Sequence, residues 1–187
     1  MAGKKKEKEK GKLFLTRKDF KEKDGVLTYE KDLAFDGSIE IAEGLGLVKF
    51  ALGLRATKSI FAGAGDGIEA GWGIKAGWGI KAGWGIEAGW GIEAGGGIEA
   101  GGGIEAGDGI EAGDGIEAGG GIEAGWGLEA GWGIKAGDGI LTLFNGIACK
   151  VISALRICVG FHARQEQTID AEVREGEVIL GKRVKKK

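Results

Sequence analysis

The chain has 187 residues, 43% of them apolar, enough for one ordinary core, and its 41 glycines are about three times the average usage of roughly 7%. A net charge of −2 conceals an asymmetry: residues 62–141 hold nine Glu and four Asp against three Lys, a balance of −10, so the flanks carry +8. With no proline and no three-residue period, collagen-like and proline-rich extended structures are excluded, and one histidine beside two cysteines makes no zinc set.

Residues 1–12 form a basic N-terminal tail containing "KKKEKEKGK", and 185–187 form a short basic tail at the other end. Both read as solubilising arms; the alternative is docking on an acidic surface, either a neighbouring copy or an anionic polymer. The basic start is followed by "LFLTRKDF", far too short for a secretory apolar region, and no stretch reaches membrane-spanning length. A cytoplasmic location is therefore expected.

Residues 13–61 read as an N-terminal cap with degenerate rungs. Alternating apolar positions persist at Ile39, Ile41, Leu45, Leu47, Leu52, Leu54 and Ile60, without the glycine grammar that follows. From 62 to 141 one hexad recurs, as in "AGWGIKAGWGIKAGWGIEAGWGIEAG" (70–95). Large aliphatic residues stand six apart from Ile68 to Ile140, with only Leu128 replacing Ile. Six residues turn an α-helix through about 600°, so no helical face holds this stripe. Ile-Glu/Lys-Ala instead alternates as a short strand, Ile68 and Ala70 inward and Glu69 outward. Gly71-Trp72-Gly73 then reads as a corner whose glycines allow positive φ. A short strand and a short corner, repeated, give a polygonal coil of rungs about 4.8 Å apart. The fold class predicted is all-β: a β-solenoid, that is a parallel β-helix, three-sided with about 18 residues per turn and closed by non-repeat capping segments.

Residues 142–184 read as the C-terminal cap. Phe144 and Phe161 are large enough to plug an open coil end, a helix within 149–158 is an open alternative, and "TIDAEVREGEVILGKRV" reads as two strands about Glu175-Gly176. Cys149 and Cys158 read as small core residues, reduced inside the cell.

The hexad resembles the repeat of the hexapeptide-repeat proteins that form left-handed β-helices, with Gly71 in the small turn position and Trp72-Gly73 in the free pair. The resemblance spans 62–141, with the two inward residues reversed in size. More loosely, the chain is similar to the polymer-forming bactofilin-like β-solenoids. The acyltransferases of the hexapeptide family use a histidine between subunits, but the sole histidine, His162 in "GFHAR", lies outside the repeat.

One corner position holds all six tryptophans, Trp72, Trp78, Trp84, Trp90, Trp126 and Trp132, and elsewhere Asp or Gly. A position that accepts Asp is expected to face solvent, since an unpaired buried carboxylate is costly. The indoles then either cover one another or make contacts with a partner. On an 18-residue turn Glu69, Glu87, Glu105 and Glu123 form one acidic column. It reads as a solvated face, or as a surface for cations, for a nucleic-acid-binding partner or for another copy's lysines. No catalytic residue, cofactor site or metal site emerges. The leading expectation is a non-enzymatic structural or scaffold protein that self-associates, as a homo-oligomer or filament, through solenoid ends and Trp corners. The alternative is a binding module that contacts glycan through its Trp edges or mimics nucleic acid with its acidic face. An acyltransferase-like enzyme is a third.

Overall fold

A computed structural model describes residues 11–159 and 168–183, and within them the chain is a continuous parallel β-solenoid with no α-helix. The repeat shows why. In each hexad from Ile74–Ala76 to Leu128–Ala130 the first and third residues of the strand are buried and the middle one is exposed. Each strand pairs in parallel with the strand three hexads on, so Ile68 is followed along the axis by Ile86, Ile104, Ile122 and Ile140. Ile74 begins a second column through Ile92, Ile110 and Leu128, and Ile80 a third through Ile98, Ile116 and Ile134. The turn is therefore 18 residues and three-sided, as the sequence predicts. The three sides are called here the Ile68, Ile74 and Ile80 faces. Every turn buries three large aliphatic side chains at about 1.5–3 kcal/mol each, together with three alanines.

The glycines work differently from expectation. None from Gly67 to Gly146 has a positive φ; those that do lie outside the regular hexads. Their role is close approach. A Cβ on Gly89, Gly95 or Gly107 would run into the carbonyl oxygen of Gly71, Gly77 or Gly89 one turn below. The glycine before each isoleucine is tight but not blocked: a Cβ on Gly97 would sit 3.4 Å from the carbonyl oxygen of Gly115.

The columns continue below the repeat, Leu33 to Leu54 to Ile74, Leu27 to Val48 to Ile68, and Leu13 to Ile39 to Ile60 to Ile80. Here the turns lengthen because the corners at 42–46 and 63–67 are enlarged, with Gly44 (φ 80°), Gly46 (φ 72°) and Gly65 (φ 78°) in left-handed conformation. Asp66 departs from the expectation that corner aspartates face water. It is 1% exposed, and its carboxylate accepts the N–H groups of Gly44 (2.8 Å) and Gly46 (2.6 Å), which satisfies it. At the N-terminal end Lys21–Lys23 and Val26–Tyr29 form an antiparallel hairpin about Asp24 (φ 52°) and Gly25 (φ 80°), the φ signs of a type I′ turn. Phe20 closes the core there, edge-on to Phe50 at 5.9 Å.

At the other end the ladder goes on. Ile147–Val159 is one strand that wraps all three faces, setting Ile147, Ile152 and Ile157 against Leu128, Ile134 and Ile140. The helix left open within 149–158 does not form, because the rung beneath presents backbone groups that only another strand satisfies. Thr168–Leu180 likewise follows the strand before it in parallel, with Ile169, Val173 and Val178 in the three columns. Glu175-Gly176 is thus a corner, with Gly176 at φ 108°, and not a break between two strands. Phe144 is 44% exposed and rests on Trp126, so it plugs nothing; Phe161 lies outside the described residues.

Candidate interaction surface: aromatic edges and charged faces

Three edges run the length of the coil where the faces meet. Corner N–H groups bond to the corner carbonyls one turn below, which stacks the variable residues of each edge. The first edge carries Trp72, Trp90, Asp108 and Trp126, with Phe144 on the next rung. The second carries Lys58, Trp78, Gly96, Asp114, Trp132 and Lys150, and the third Asp66, Trp84, Gly102, Gly120, Asp138 and Arg156. All six tryptophans point outward, from 42% exposed at Trp72 to 62% at Trp84 and Trp132.

Each edge treats its indoles differently. Trp72 and Trp90 stack with centroids 5.4 Å apart and planes 4° from parallel, as neighbours on adjacent rungs. Trp78 and Trp132 are instead each covered by a lysine, Lys58 Nζ at 5.3 Å and Lys150 Nζ at 3.5 Å from the ring centroid. Trp84 leans over the next rung, its Cδ1 2.6 Å from where a Cβ of Gly102 would stand. The indoles thus shield glycine-rich backbone while a large part of each stays open to solvent.

The outward strand positions form three rows of different character. On the Ile68 face the row runs Lys49, Glu69, Glu87, Glu105 and Glu123, then Leu141 and Cys158. Lys49 pairs with Glu69, and the other three glutamates have no ion pair among the described residues. Burial pushes the carboxyl of Glu87 above its ordinary value, and the charges of Glu69 and Glu105 push the same way. On the Ile80 face the row runs Lys81, Glu99, Glu117 and Lys135, with a lysine at each end of a glutamate pair, Lys81 bonded to Glu99 (2.5 Å) and Lys135 to Glu117 (2.9 Å). Those hydrogen bonds and charges raise both ammonium pKa values. On the Ile74 face Lys75 pairs with Glu93 (2.5 Å), and Glu111 and Glu129 follow. These pairs escaped the reading of the acidic column alone, although writing the sequence in rows of 18 places each lysine beside its glutamate.

Because the residue before each isoleucine is glycine, a shallow groove runs parallel to the axis beside each of two edges. One is floored by Gly73, Gly91, Gly109 and Gly127, between the Trp72 edge and the row Lys75 to Glu129. The other is floored by Gly85, Gly103, Gly121 and Gly139, between the Trp84 edge and Glu87, Glu105 and Glu123.

Cys149 is buried, as expected, its thiol donating to Val151 O (3.2 Å), whereas Cys158 faces outward beside Leu141, half-buried, its thiol pKa pushed up by burial; the two are not joined in a disulfide. Among the described residues no group of three His, Cys, Asp or Glu is placed to hold a metal ion, and no helix is long and apolar enough to cross a membrane. His162 lies outside the described residues. Comparison with protein-family models, with curated proteins and with solved structures finds no match to this chain.

Proposed function

We propose that the chain is a non-enzymatic structural or scaffold protein whose copies associate through the solenoid ends and the exposed Trp edges, extending into polymers within the cytoplasm. The observation that carries this reading is the final strand. Thr168–Leu180 is paired along its whole length to the rung below, but on its far side it meets only Lys182 and Arg183 among the described residues. Among the described residues two faces therefore end in backbone donors and acceptors with no strand beyond them, a template for another strand. At the opposite end Lys12–Leu15 and Leu33–Phe35 each have one strand neighbour among the described residues. A second copy placed head to tail continues the ladder, and such a heterologous contact propagates without closing. Two cysteines that are not joined in a disulfide suit a reducing compartment.

Electron microscopy together with sedimentation of the full chain tests the reading. Elongated particles whose length grows with concentration are expected; a single monomeric species at every concentration up to about 100 times that used for imaging sinks it. A second reading, a binding module for a cationic partner, draws support from the unbroken acidic row. The glycan version is less favoured, because Trp72 and Trp90 turn one ring face each toward the other.

A further inference from the structure

The aromatic order on the Trp72 edge leaves a notch. Trp90 and Trp126 stand two rungs apart with Asp108 between them, its N–H donating to Trp90 O (3.3 Å) and its carbonyl accepting from Trp126 N (3.2 Å). At about 4.8 Å per rung the two indoles are about 9.6 Å apart along the axis. Both are backed on the side away from the notch, Trp90 by Trp72 at 5.4 Å and Trp126 by Phe144 at 5.7 Å. Since Trp90 stacks on the rung below it, its free face turns toward the rung above, where Asp108 sits. The carboxylate of Asp108 is exposed and has no hydrogen-bond or ion-pair partner among the described residues.

The chemistry of the notch selects its ligand. A positive group midway between the rings lies about 4.8 Å from each, within the roughly 6 Å over which an indole attracts a cation, and directly over a carboxylate. A neutral apolar group leaves the carboxylate unanswered, and a hard metal ion needs several oxygen ligands where the notch offers one side chain. The protein already uses this contact on the neighbouring edge, where Lys58 and Lys150 cover Trp78 and Trp132. On the Trp72 edge the corresponding positions carry Leu52 and Asn145, with Phe144 next to it against Trp126, so the chain supplies aromatic walls and a carboxylate but no cation from that edge.

We propose that the notch of Trp90, Asp108 and Trp126 binds a lysine ammonium from the lysine-rich terminal segment of a second copy. Lys4, Lys5, Lys6, Lys8 and Lys10 precede the described residues, and the array they would meet carries −10. Within one chain the path is long. Gly11 sits at the foot of the Trp78 edge, four rungs below Gly96, and Asp108 lies two thirds of a turn above Gly96 and one face away, about 22 Å along the axis, a height that within one chain only Lys4, Lys5 or Lys6 spans, and then on a fully stretched segment of about 3.5 Å per residue. The proposal rests on the self-association reading for its occupant, whereas the cation chemistry of the notch does not.

The test uses the full-length chain and, as probe, a synthetic peptide of residues 1–12, followed by calorimetry and indole fluorescence at 0.15 M salt to screen general attraction. Asp108→Asn and Trp126→Gly are each expected to weaken peptide binding at least tenfold. Asp114→Asn, on the edge whose tryptophans already hold lysines, and Glu105→Gln, in the acidic row, are expected to change it less than twofold. A loss from Glu105→Gln equal to that from Asp108→Asn, or no loss from Asp108→Asn, overturns the notch. Sedimentation of the same proteins separates the two readings. If the chain remains a monomer while the peptide binds at Asp108, the second-copy occupant and the self-association reading both fail. If it assembles and Asp108→Asn changes nothing, only the notch fails. A chain with all five lysines replaced by serine is expected to lose assembly to the same extent as Asp108→Asn, with no further loss when the two are combined.

Discussion

At the scale of single residues, glycine is used for space rather than for unusual dihedral angles, and the two glycines of a hexad are not equivalent. Gly107 has no room for a Cβ, because the carbonyl of Gly89 on the rung below occupies it, while Gly97 has an ordinary contact with Gly115. Gly107→Ala is expected to destabilise by about 3 kcal/mol, the upper part of the usual overpacking range. Gly97→Ala is expected to be neutral or to stabilise by about 0.5 kcal/mol, since its backbone is not left-handed and the unfolded chain loses freedom. Chemical denaturation of the two proteins checks this; equal effects would mean that close approach is not what fixes the glycine positions. The same logic explains Asp66: its two bonds to Gly44 and Gly46 make a buried carboxylate tolerable in a position that elsewhere faces water.

Edges and rows are the next scale, and here the outward residues act as columns. The corner position already holds Gly96, Gly102, Asp108 and Asp114 in hexads of the same grammar. Replacing Trp72, Trp78, Trp84 and Trp90 together by Gly is therefore expected to keep the fold, with a loss of about 0.5–1.5 kcal/mol for the Trp72–Trp90 stack. Assembly is expected to weaken at least tenfold if the indoles are contacts, as buried interface tryptophans commonly cost more than about 2 kcal/mol on truncation. Melting and particle size measured on the same samples decide it: lost stability with unchanged assembly leaves the indoles as cover for the glycine corners. The acidic row makes a pH prediction. In the folded chain the Glu87 carboxyl lies above its ordinary 4.5, so folding favours its protonated form. Its ionisation opposes folding above the folded value, and that penalty fades as pH falls through the folded value toward 4.5. Glu87→Gln is expected to raise the melting temperature slightly at pH 7 and not at pH 4. Lys81 and Lys135 behave oppositely in origin: their raised values add stability that is fully present below 10.5 and lost as pH rises through the folded values.

For the whole molecule, the decisive property is that each rung touches only its neighbours, so turns are interchangeable units. Deleting residues 98–115 removes one full turn and returns Ile116 to the place of Ile98, one rung down in the same column. That deletion is expected to preserve β-rich circular dichroism and cooperative melting. Deleting 98–106 instead joins Gly97 to Gly107, puts isoleucines where corners belong, and is expected to abolish the cooperative transition or lower its midpoint by more than about 10 °C. Comparable melting of the two would refute the 18-residue turn.

The hexad alone determined the strand-and-corner grammar, the inward Ile and Ala, the outward tryptophans and the acidic column through Glu69, Glu87, Glu105 and Glu123. It could do so because a six-residue period holds no helical face while Gly-X-Gly interrupts any long strand, and because stacking repeats each local choice on the rung above. Outside the repeat that redundancy is missing. Only the tertiary structure decided that Ile147–Val159 is a strand wrapping three faces, that Glu175-Gly176 is a corner, and that Cys158 faces out while Asp66 faces in. In each of these places the neighbouring rung, distant in sequence, supplies the hydrogen-bond partners or the walls. The same holds for the notch at Asp108: the residue is legible in the sequence, but its setting between two backed indoles comes from residues one and two turns away.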